Sequence, residues 1–224
     1  RRNGIQQLLP FPTNAVLLLD DALQHRQIKA GLTILLSTFD APFYNDFLLP
    51  TGNLREAKSG ANRADIIVIT KCPNDISNEQ KDAVTKKLAK YQKKVFFSKI
   101  NYGALAPISK LVVKDIEKVL IVSGIANPLA MLDHLSAIFT THHINFSDHH
   151  DFSQKDIEII HKKFDTFANK NTIIVTTHKD FMRLKNVLSE LHLENYPWYI
   201  LPITVTIENE NEFNQLIRNY VRKI

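Results

Sequence analysis

Short runs of Val, Ile and Leu alternate with helix-like segments along most of this chain, and this alternation constrains its fold most strongly. Near-continuous apolar runs of this length are typical of parallel strands that are covered on both faces. Alternation of strands and helices predicts an α/β sandwich. The predicted strands are residues 15–19, 32–36, 66–70, 94–98, 118–123, 144–146, 172–176 and 198–207.

Helix signals lie between these runs. Ser77 is followed three residues later by Gln80, which is a capping-box pattern and predicts a helix that ends near Tyr91. The other predicted helices begin near residues 127, 153, 179 and 211. The segment Ser37–Ala61 is rich in Pro, Gly and Asn and breaks the alternation, which predicts a linker or a binding loop between domains.

The overall composition narrows the class of protein. The single cysteine, Cys72, excludes an internal disulfide framework and favours a reducing, cytoplasmic compartment. A net charge of +5 makes anionic partners plausible, namely a nucleotide, a nucleic acid or an acidic membrane surface. The lysines between positions 81 and 94 are typical of a solvated helix face, so we expect no nucleic acid. The apolar runs are far shorter than the ~20 residues that cross a bilayer, and no signal peptide is recognised.

Paired acids follow the first predicted strand. In the stretch L-L-L-D-D-A-L-Q-H (17–25), the apolar run ends in Asp20 and Asp21. In open α/β sheets, groups at the carboxyl ends of strands face the ligand crevice, and acids there can bind Mg²⁺ beside a nucleotide. Gln24 and His25 place two more polar groups at the same end. The alternative is an ordinary surface turn.

A turn with an Arg-Glu pair lies in the candidate linker, in F-L-L-P-T-G-N-L-R-E. The guanidinium of Arg55 suits bidentate binding of a phosphate. A surface turn with a local salt bridge between Arg55 and Glu56 is the alternative. Further along, G-I-A-N-P (124–128) follows a predicted strand, and it is either a simple turn or a helix start whose free N–H groups bind an anion.

Residues 146–152, F-S-D-H-H-D-F, are dense in titratable groups and allow three interpretations. Asp148, His149 and His150 match the D-H-H signature of manganese phosphoesterases, but those enzymes also need a D-x-D pattern, which this chain does not contain. One histidine held by a neighbouring carboxylate instead suits proton transfer or substrate positioning. The third interpretation is a polar loop that caps a helix at Ser153.

Taken in order, D-D-A-L-Q-H-R, L-L-P-T-G-N-L-R-E, R-A-D-I-I-V-I-T-K, G-I-A-N-P, F-x-D-H-H-x-F and T-x-K-D resemble the tetraacyldisaccharide 4'-kinase family of lipid A biosynthesis, over nearly the whole chain. The resemblance implies P-loop kinases that transfer the γ-phosphate of ATP, with Mg²⁺, to the 4'-hydroxyl of a tetraacylated glucosamine disaccharide 1-phosphate. It also implies a peripheral enzyme at the cytoplasmic face of the inner membrane of Gram-negative bacteria.

The resemblance also implies roles for individual residues. Asp148 and His149 match the family's catalytic pair, with Asp21 as a further catalytic group. Thr177, Lys179 and Asp180 match its T-E-K-D strand end. The other matches are cofactor-binding or substrate-binding positions: Asp20, Asp21, Gln24 and His25 for Mg²⁺ and ATP, and Asn53, Arg55 and Glu56 for the acylated sugar.

The chain departs from the family pattern in three places. Ala22 replaces a Gly, His178 replaces the Glu of T-E-K-D, and none of the six glycines is followed by Lys, so no G-K-[ST] phosphate loop is present. Phosphoryl transfer depends on that loop, so we expect a fragment that is inactive by itself. The alternatives are a D-H-H-type manganese phosphoesterase and a non-catalytic module that binds a nucleotide or a lipid.

The resemblance predicts a domain organisation as well. We expect a partial P-loop-kinase-like α/β/α sandwich and a second, smaller α/β/α domain that is joined to it by a β-ribbon linker. Residues 1–36 are expected to be a remnant of the nucleotide-binding domain with the Walker-B strand, and residues 37–59 a linker with the substrate loop. Residues 60–203 are expected to form the second domain. Residues 204–224 are expected to be a strand end and a helix that returns to the first domain.

Overall fold

The computed structural model describes residues 15–167 and 170–222, and the chain divides into two units. One unit contains the described residues up to Ile100 together with those from Val205 onward. The other unit contains Asn101–Thr204. Each unit has parallel strands and packed helices, which confirms the predicted α/β class.

Strands and helices alternate along most of the described chain. The strands are β1 (Ile34–Thr38), β2 (Ile66–Thr70), β3 (Lys94–Tyr102), β4 (Ala106–Pro107), β5 (Lys118–Ser123), β6 (Thr140–Asn145), β7 (Thr172–Thr177), β8 (Trp198–Leu201) and β9 (Ile203–Ile207). The helices are α1 (Asn78–Leu88), α2 (Leu129–Ser136), α3 (Gln154–Asp165), α4 (His178–Leu184), α5 (Glu190–Asn195) and α6 (Glu210–Val221). The predicted capping box at Ser77 is confirmed, because Ser77 and Gln80 bond each other's backbone N–H at the start of α1.

The sheet of the first unit has the strand order β1-β2-β3-β9, and β1, β2 and β3 are parallel. Successive side chains of β2 point to opposite faces, as in any strand. Ile67 belongs to a core cluster with Val84 and Leu88, which are the buried residues of α1. Ile66 belongs to a second cluster that includes Phe213 of α6. Helices therefore cover both faces of this sheet.

The sheet of the second unit has the order β4-β8-β7-β5-β6, and all neighbouring strands are parallel except β4 and β8. Ile121 of β5 packs in one core cluster with Met131 and Leu135 of α2. Leu120, its neighbour in sequence, packs in another cluster with Ile160 of α3. The near-continuous apolar sequence of β5 follows from this burial on both faces.

The connections in the second unit create a topological switch point at β5. The chain runs from β5 to β6 on one side and then crosses by α3 to β7 on the other side. Ser123 lies opposite Asn145 of β6, and Val122 lies opposite Thr176 of β7. The loops that follow β5, β6 and β7 therefore leave the same edge of the sheet, which is where open α/β sheets bind ligands.

The predicted strand at residues 15–19 was wrong. This segment has no regular structure, and no described strand pairs with it. The side chain of Leu18 is 88% exposed, and Val16 and Leu17 are exposed as well. An apolar sequence favours a strand only where a neighbour completes its hydrogen bonds and covers its side chains.

The predicted strand at residues 198–207 is two strands. Pro202 lacks a backbone N–H and divides β8, in the second sheet, from β9, in the first. The unit boundary also differs from the predicted start of the second domain at residue 60. Residues 60–100 lie in the first unit, because β2 pairs with both β1 and β3.

Candidate active site

Four charged or titratable side chains meet at the carboxyl edge of the second sheet. The ammonium nitrogen of Lys179 lies 3.1 Å from Asp148 Oδ1 and 3.5 Å from His149 Nε2. Arg183 Nη2 lies 2.8 Å from His149 Nδ1. Asp148 and His149 come from the loop after β6, whereas Lys179 and Arg183 lie on α4 directly after β7. The switch point thus joins two motifs that are distant in sequence.

The loop after β6 is held close to β5 by backbone contacts. His149 has φ of 61°, in the left-handed region that non-glycine residues seldom occupy. Its N–H donates to Asp148 Oδ1 at 3.0 Å and to the carbonyl oxygen of Gly124 at 3.3 Å. A Cβ atom on Gly124 would lie 3.0 Å from the carbonyl oxygen of Ser147. The absence of a side chain at Gly124 therefore lets this loop approach β5.

Asp180 anchors the start of α4 beneath these side chains. Its side chain is fully buried, and Oδ2 accepts hydrogen bonds from the Gly124 N–H at 3.1 Å and the Thr177 hydroxyl at 2.8 Å. Thr177 in turn caps α4 by accepting the Asp180 N–H at 3.0 Å. The other oxygen, Oδ1, lies 3.7 Å from Arg183 Nη1. Asp180 therefore joins β5, β7 and Arg183.

The charges around Asp148 favour its ionised form. The hydrogen bond from Lys179 lowers the pKa of the Asp148 carboxyl, and His149 lowers it further. The His149 side chain is 69% exposed, so its ring is accessible to a ligand. A carboxylate, an ammonium and a guanidinium around one accessible imidazole can bind an anionic group and position a proton donor or acceptor.

The third residue of D-H-H faces away from this cluster. His150 Nε2 lies 3.1 Å from Asp156 Oδ2, and Asp156 forms the capping box at the start of α3 with Ser153. Hydrogen bonds from the Ser153 hydroxyl and N–H and from His150 outweigh the effect of burial and lower the pKa of Asp156. Upstream, His143 bonds Ser123 Oγ. No group of three or more His, Cys, Asp or Glu side chains in residues 15–167 and 170–222 is arranged to hold a metal ion.

The predicted residues of the first unit form a separate cluster. Arg55 binds the Asp21 carboxylate with both terminal guanidinium nitrogens, Nη1 at 3.0 Å and Nη2 at 3.3 Å. Glu56 accepts from Arg63 at 2.5 and 2.7 Å and from Arg26 at 3.4 Å. These ion pairs join the loop that contains the paired acids to the Arg-Glu turn.

A cavity of about 190 Å³ lies beside these ion pairs, and its lining includes Gln24, Asn53, Arg55 and Glu56. The Asn53 N–H donates to the Asp46 carboxylate at 3.2 Å, and the N–H groups of Phe47 and Asn53 lower the pKa of Asp46. This bond fixes the turn that carries Asn53 and Arg55.

Asp20 and His25 are exposed on the neighbouring turn. Adjacent carboxylates suit Mg²⁺, which uses one or two of them and keeps several waters. Asp20 fits that role directly, whereas the Asp21 carboxylate already binds Arg55.

Arg183 is the site residue that the sequence analysis missed. It lies three residues after Asp180 and four after Lys179, so its side chain is a neighbour of both on the surface of α4. The sequence feature that could have indicated its role is a basic residue three positions after the Asp of T-x-K-D. The participation of Arg26 and Arg63 at Glu56 was also not predicted, because nothing local in the sequence links Arg26 to Glu56.

The chain is similar to known proteins over nearly its whole length. The family profile described as Tetraacyldisaccharide-1-P 4'-kinase matches residues 1–222. The tetraacyldisaccharide 4'-kinase of Flavobacterium psychrophilum is 42% identical over 231 residues, which cover 99% of this chain and 64% of that protein. The enzyme of the same name from Bacteroides thetaiotaomicron is 40% identical over 247 residues, covering 100% of this chain and 64% of that protein. The chain therefore spans about two thirds of the length of these relatives.

A solved structure has the same fold. The crystal structure of LpxK from Aquifex aeolicus in complex with ATP aligns with a TM-score of 0.63 and 22% sequence identity. The alignment covers 98% of this chain and 62% of that chain. At this level of identity, the similarity supports the architecture of both sheets.

Proposed function

The chain belongs to the tetraacyldisaccharide-1-P 4'-kinase family, and from this we propose the activity of the whole protein. It transfers the γ-phosphate of ATP to the 4'-hydroxyl of a tetraacyldisaccharide 1-phosphate. The observation that carries the proposal is the cluster of Asp148, His149 and Lys179 at the switch point, because the loop that holds it is one of the motifs of the family resemblance.

In this proposal His149 contacts the reacting groups. Phosphoryl transfer needs little covalent chemistry from the protein and depends on positioning and on stabilising charge. Lys179 and Arg183 supply fixed positive charge, and the ionised Asp148 holds the Lys179 ammonium beside the ring. An acceptor hydroxyl and a phosphoryl oxygen are the ligands that suit such a set of groups.

Asp20, Asp21, Gln24 and His25 form the proposed cofactor-binding turn of the first unit. Asp20 and Asp21 would hold Mg²⁺, and Asp21 also remains a proposed catalytic group. When bound, Mg²⁺ neutralises charge on the phosphates of ATP. A G-K-[ST] phosphate loop is not among these 224 residues, so turnover is to be measured on the intact gene product.

The cavity next to the Arg55–Asp21 pair is the proposed contact for the sugar. Asn53, Arg55 and Glu56 supply an amide, a guanidinium and a carboxylate at its wall. These groups suit the hydroxyl and phosphate groups of an acylated glucosamine disaccharide 1-phosphate. The Arg55 side chain is exposed. Its guanidinium can therefore contact a ligand while it stays bound to Asp21, or it can exchange Asp21 for the ligand.

An acylated substrate places the reaction at a membrane surface. We propose peripheral attachment at the cytoplasmic face of the bacterial inner membrane, and the net charge of +5 suits an anionic surface. Within the described part of the chain, every helix is too short or too polar to cross a bilayer.

The test is an ATP-dependent 4'-kinase assay of the intact gene product with the tetraacyldisaccharide 1-phosphate. We expect activity, and we expect His149→Ala to lower kcat by about 10²- to 10⁴-fold, the range for a positioned acid or base. His178→Ala removes an exposed histidine near the cluster and serves as the matched control. No activity in the intact protein, or equal kcat values for the two variants, would contradict the proposal.

A further inference from the structure

We propose that Arg183 is a positioning residue that fixes His149 in the tautomer with its ring proton on Nε2. The proposal rests on the phosphotransferase function proposed above. It assigns the imidazole a specific role, because in that tautomer the exposed nitrogen of the ring is a hydrogen-bond donor.

The tautomer follows from the chemistry of the two groups. A guanidinium carries only N–H donors and remains protonated in proteins. Arg183 Nη2 lies 2.8 Å from His149 Nδ1, a hydrogen-bond distance. Nδ1 must therefore be the acceptor, and an acceptor nitrogen carries no proton. In a neutral imidazole the single ring proton then resides on Nε2.

Both ends of this hydrogen bond are held by the sheet. The Arg183 side chain is only 24% exposed, and its Nη1 faces the fully buried Asp180 carboxylate at 3.7 Å. Asp180 is bonded to Gly124 after β5 and to Thr177 at the end of β7. On the other side, the His149 N–H bonds the carbonyl oxygen of Gly124. The guanidinium and the imidazole therefore have fixed relative positions.

The free edge of the ring then presents an N–H group. His149 Nε2 lies 3.7 Å from Asp148 Oδ2, which is too long for a hydrogen bond. It lies 3.5 Å from the Lys179 ammonium, which is beyond the usual hydrogen-bond range and much longer than the 2.8 Å from Arg183 to Nδ1. That ammonium donates to Asp148 Oδ1 at 3.1 Å instead. The Nε2–H and the ammonium are therefore adjacent donors. Two such donors suit an anionic oxygen, such as a phosphoryl oxygen, more than they suit removal of a proton from a hydroxyl.

The first test is nitrogen NMR of the imidazole rings in the intact protein with ¹⁵N-labelled histidine, in which His149→Asn assigns the signals. We expect wild-type His149 to show a protonated Nε2 and an unprotonated Nδ1. Arg183→Met should convert this pattern to a mixture of both tautomers, whereas Lys185→Met, at an exposed position two residues away, should leave it unchanged. A protonated Nδ1 in the wild type, or the wild-type pattern in Arg183→Met, would overturn the proposal.

The second test compares the steady-state kinetics of the same variants. Arg183→Met should lower kcat by about 10- to 100-fold, as expected for a misplaced catalytic group, with KM for ATP little changed. Arg183→Lys, which keeps a donor and a charge, should recover part of kcat, and Lys185→Met should match the wild type. Equal kcat in Arg183→Met and Lys185→Met would refute the positioning role. An inactive wild type would instead refute the proposed function and leave the NMR result to decide the tautomer.

Discussion

His161 makes the stability of the second unit depend on pH. Its side chain is 6% exposed, and its Nε2 accepts the indole N–H of Trp198 at 3.1 Å. The ring stacks on Tyr196 with a centroid distance of 3.5 Å, and the ring of His192 lies 5.1 Å away. Burial, and then the nearby charge of His192, lower the pKa of His161 from 6.5 to about 4.

The sign and size of the effect follow from this shift. In the folded state His161 stays neutral until the pH falls to about 4, whereas in the unfolded state it binds a proton below 6.5. The folded state is therefore fully favoured above pH 6.5 and loses stability as the pH falls from 6.5 to about 4. The whole shift is equivalent to about 3 kcal/mol, of which about 2 kcal/mol is lost by about pH 5.

Urea unfolding followed by tryptophan fluorescence measures this loss. Trp198 is the single tryptophan of the chain and is fully buried in the second unit, so its emission reports that unit. His161→Gln keeps an oxygen acceptor for the indole N–H but has no proton to gain. Relative to the wild type, this variant should be less stable by about 1 kcal/mol at about pH 7.5 and should lose about 2 kcal/mol less on acidification to about pH 5.

The pair of proteins also isolates His161 from other groups. Burial lowers the pKa of His143 as well, but His143 is present in both proteins and its contribution cancels. Replacing the exposed His178 by Gln should leave the pH dependence of the wild type intact. If His161→Gln and the wild type lost the same free energy between the two pH values, the assignment of this pH dependence to His161 would be refuted.

Three other substitutions should have measurable effects, each followed by urea unfolding and tryptophan fluorescence. Asp180→Asn replaces a fully buried carboxyl group, whose Oδ2 accepts two hydrogen bonds, and should lower the free energy of unfolding by about 1–3 kcal/mol. Asp151→Asn, at an exposed position, should change it little, and equal effects of the two variants would refute the anchoring role. Ser153→Ala deletes the N-cap hydroxyl of α3 and should cost about 1 kcal/mol, most of which Ser153→Thr should retain; no loss in the Ala variant would contradict the capping box. Gly124→Ala should lower the free energy of unfolding by about 1–3 kcal/mol because its Cβ would lie 3.0 Å from a backbone oxygen, whereas the Cβ of Gly103→Ala would lie 3.5 Å from its nearest atom. A larger loss of stability in Gly103→Ala than in Gly124→Ala would contradict this packing.

The strands that the sequence predicted correctly are those buried on both faces. Residues 66–70 and 118–123 were predicted with their observed limits, and both runs lie at interior positions of their sheets, where a parallel strand is covered on both faces. Residues 15–19 are as apolar but form no strand, because pairing depends on neighbours that are distant in sequence. The two-residue β4 was too short to show a pattern of its own.

The candidate site shows the same limit. Asp148 and His149 stood out because titratable side chains crowd their loop, and the order of motifs indicated their family. Their contacts with Lys179 and Arg183 span about thirty residues of sequence. Those contacts depend on which side of β5 each later strand joins, and nothing in the local sequence of the loop encodes that choice.

The paths of β3 and β9 have a consequence for synthesis on the ribosome. Each of these strands begins in one unit and ends in the other, so Asn101–Thr204 is an insertion within the first unit. The ends of the insertion are joined by a 2.8 Å hydrogen bond from the Gly103 N–H to the carbonyl oxygen of Pro202. The inserted segment can therefore close on itself as soon as it has left the ribosome. The first sheet receives its fourth strand only afterwards, so the interrupted unit is the last to finish folding during translation.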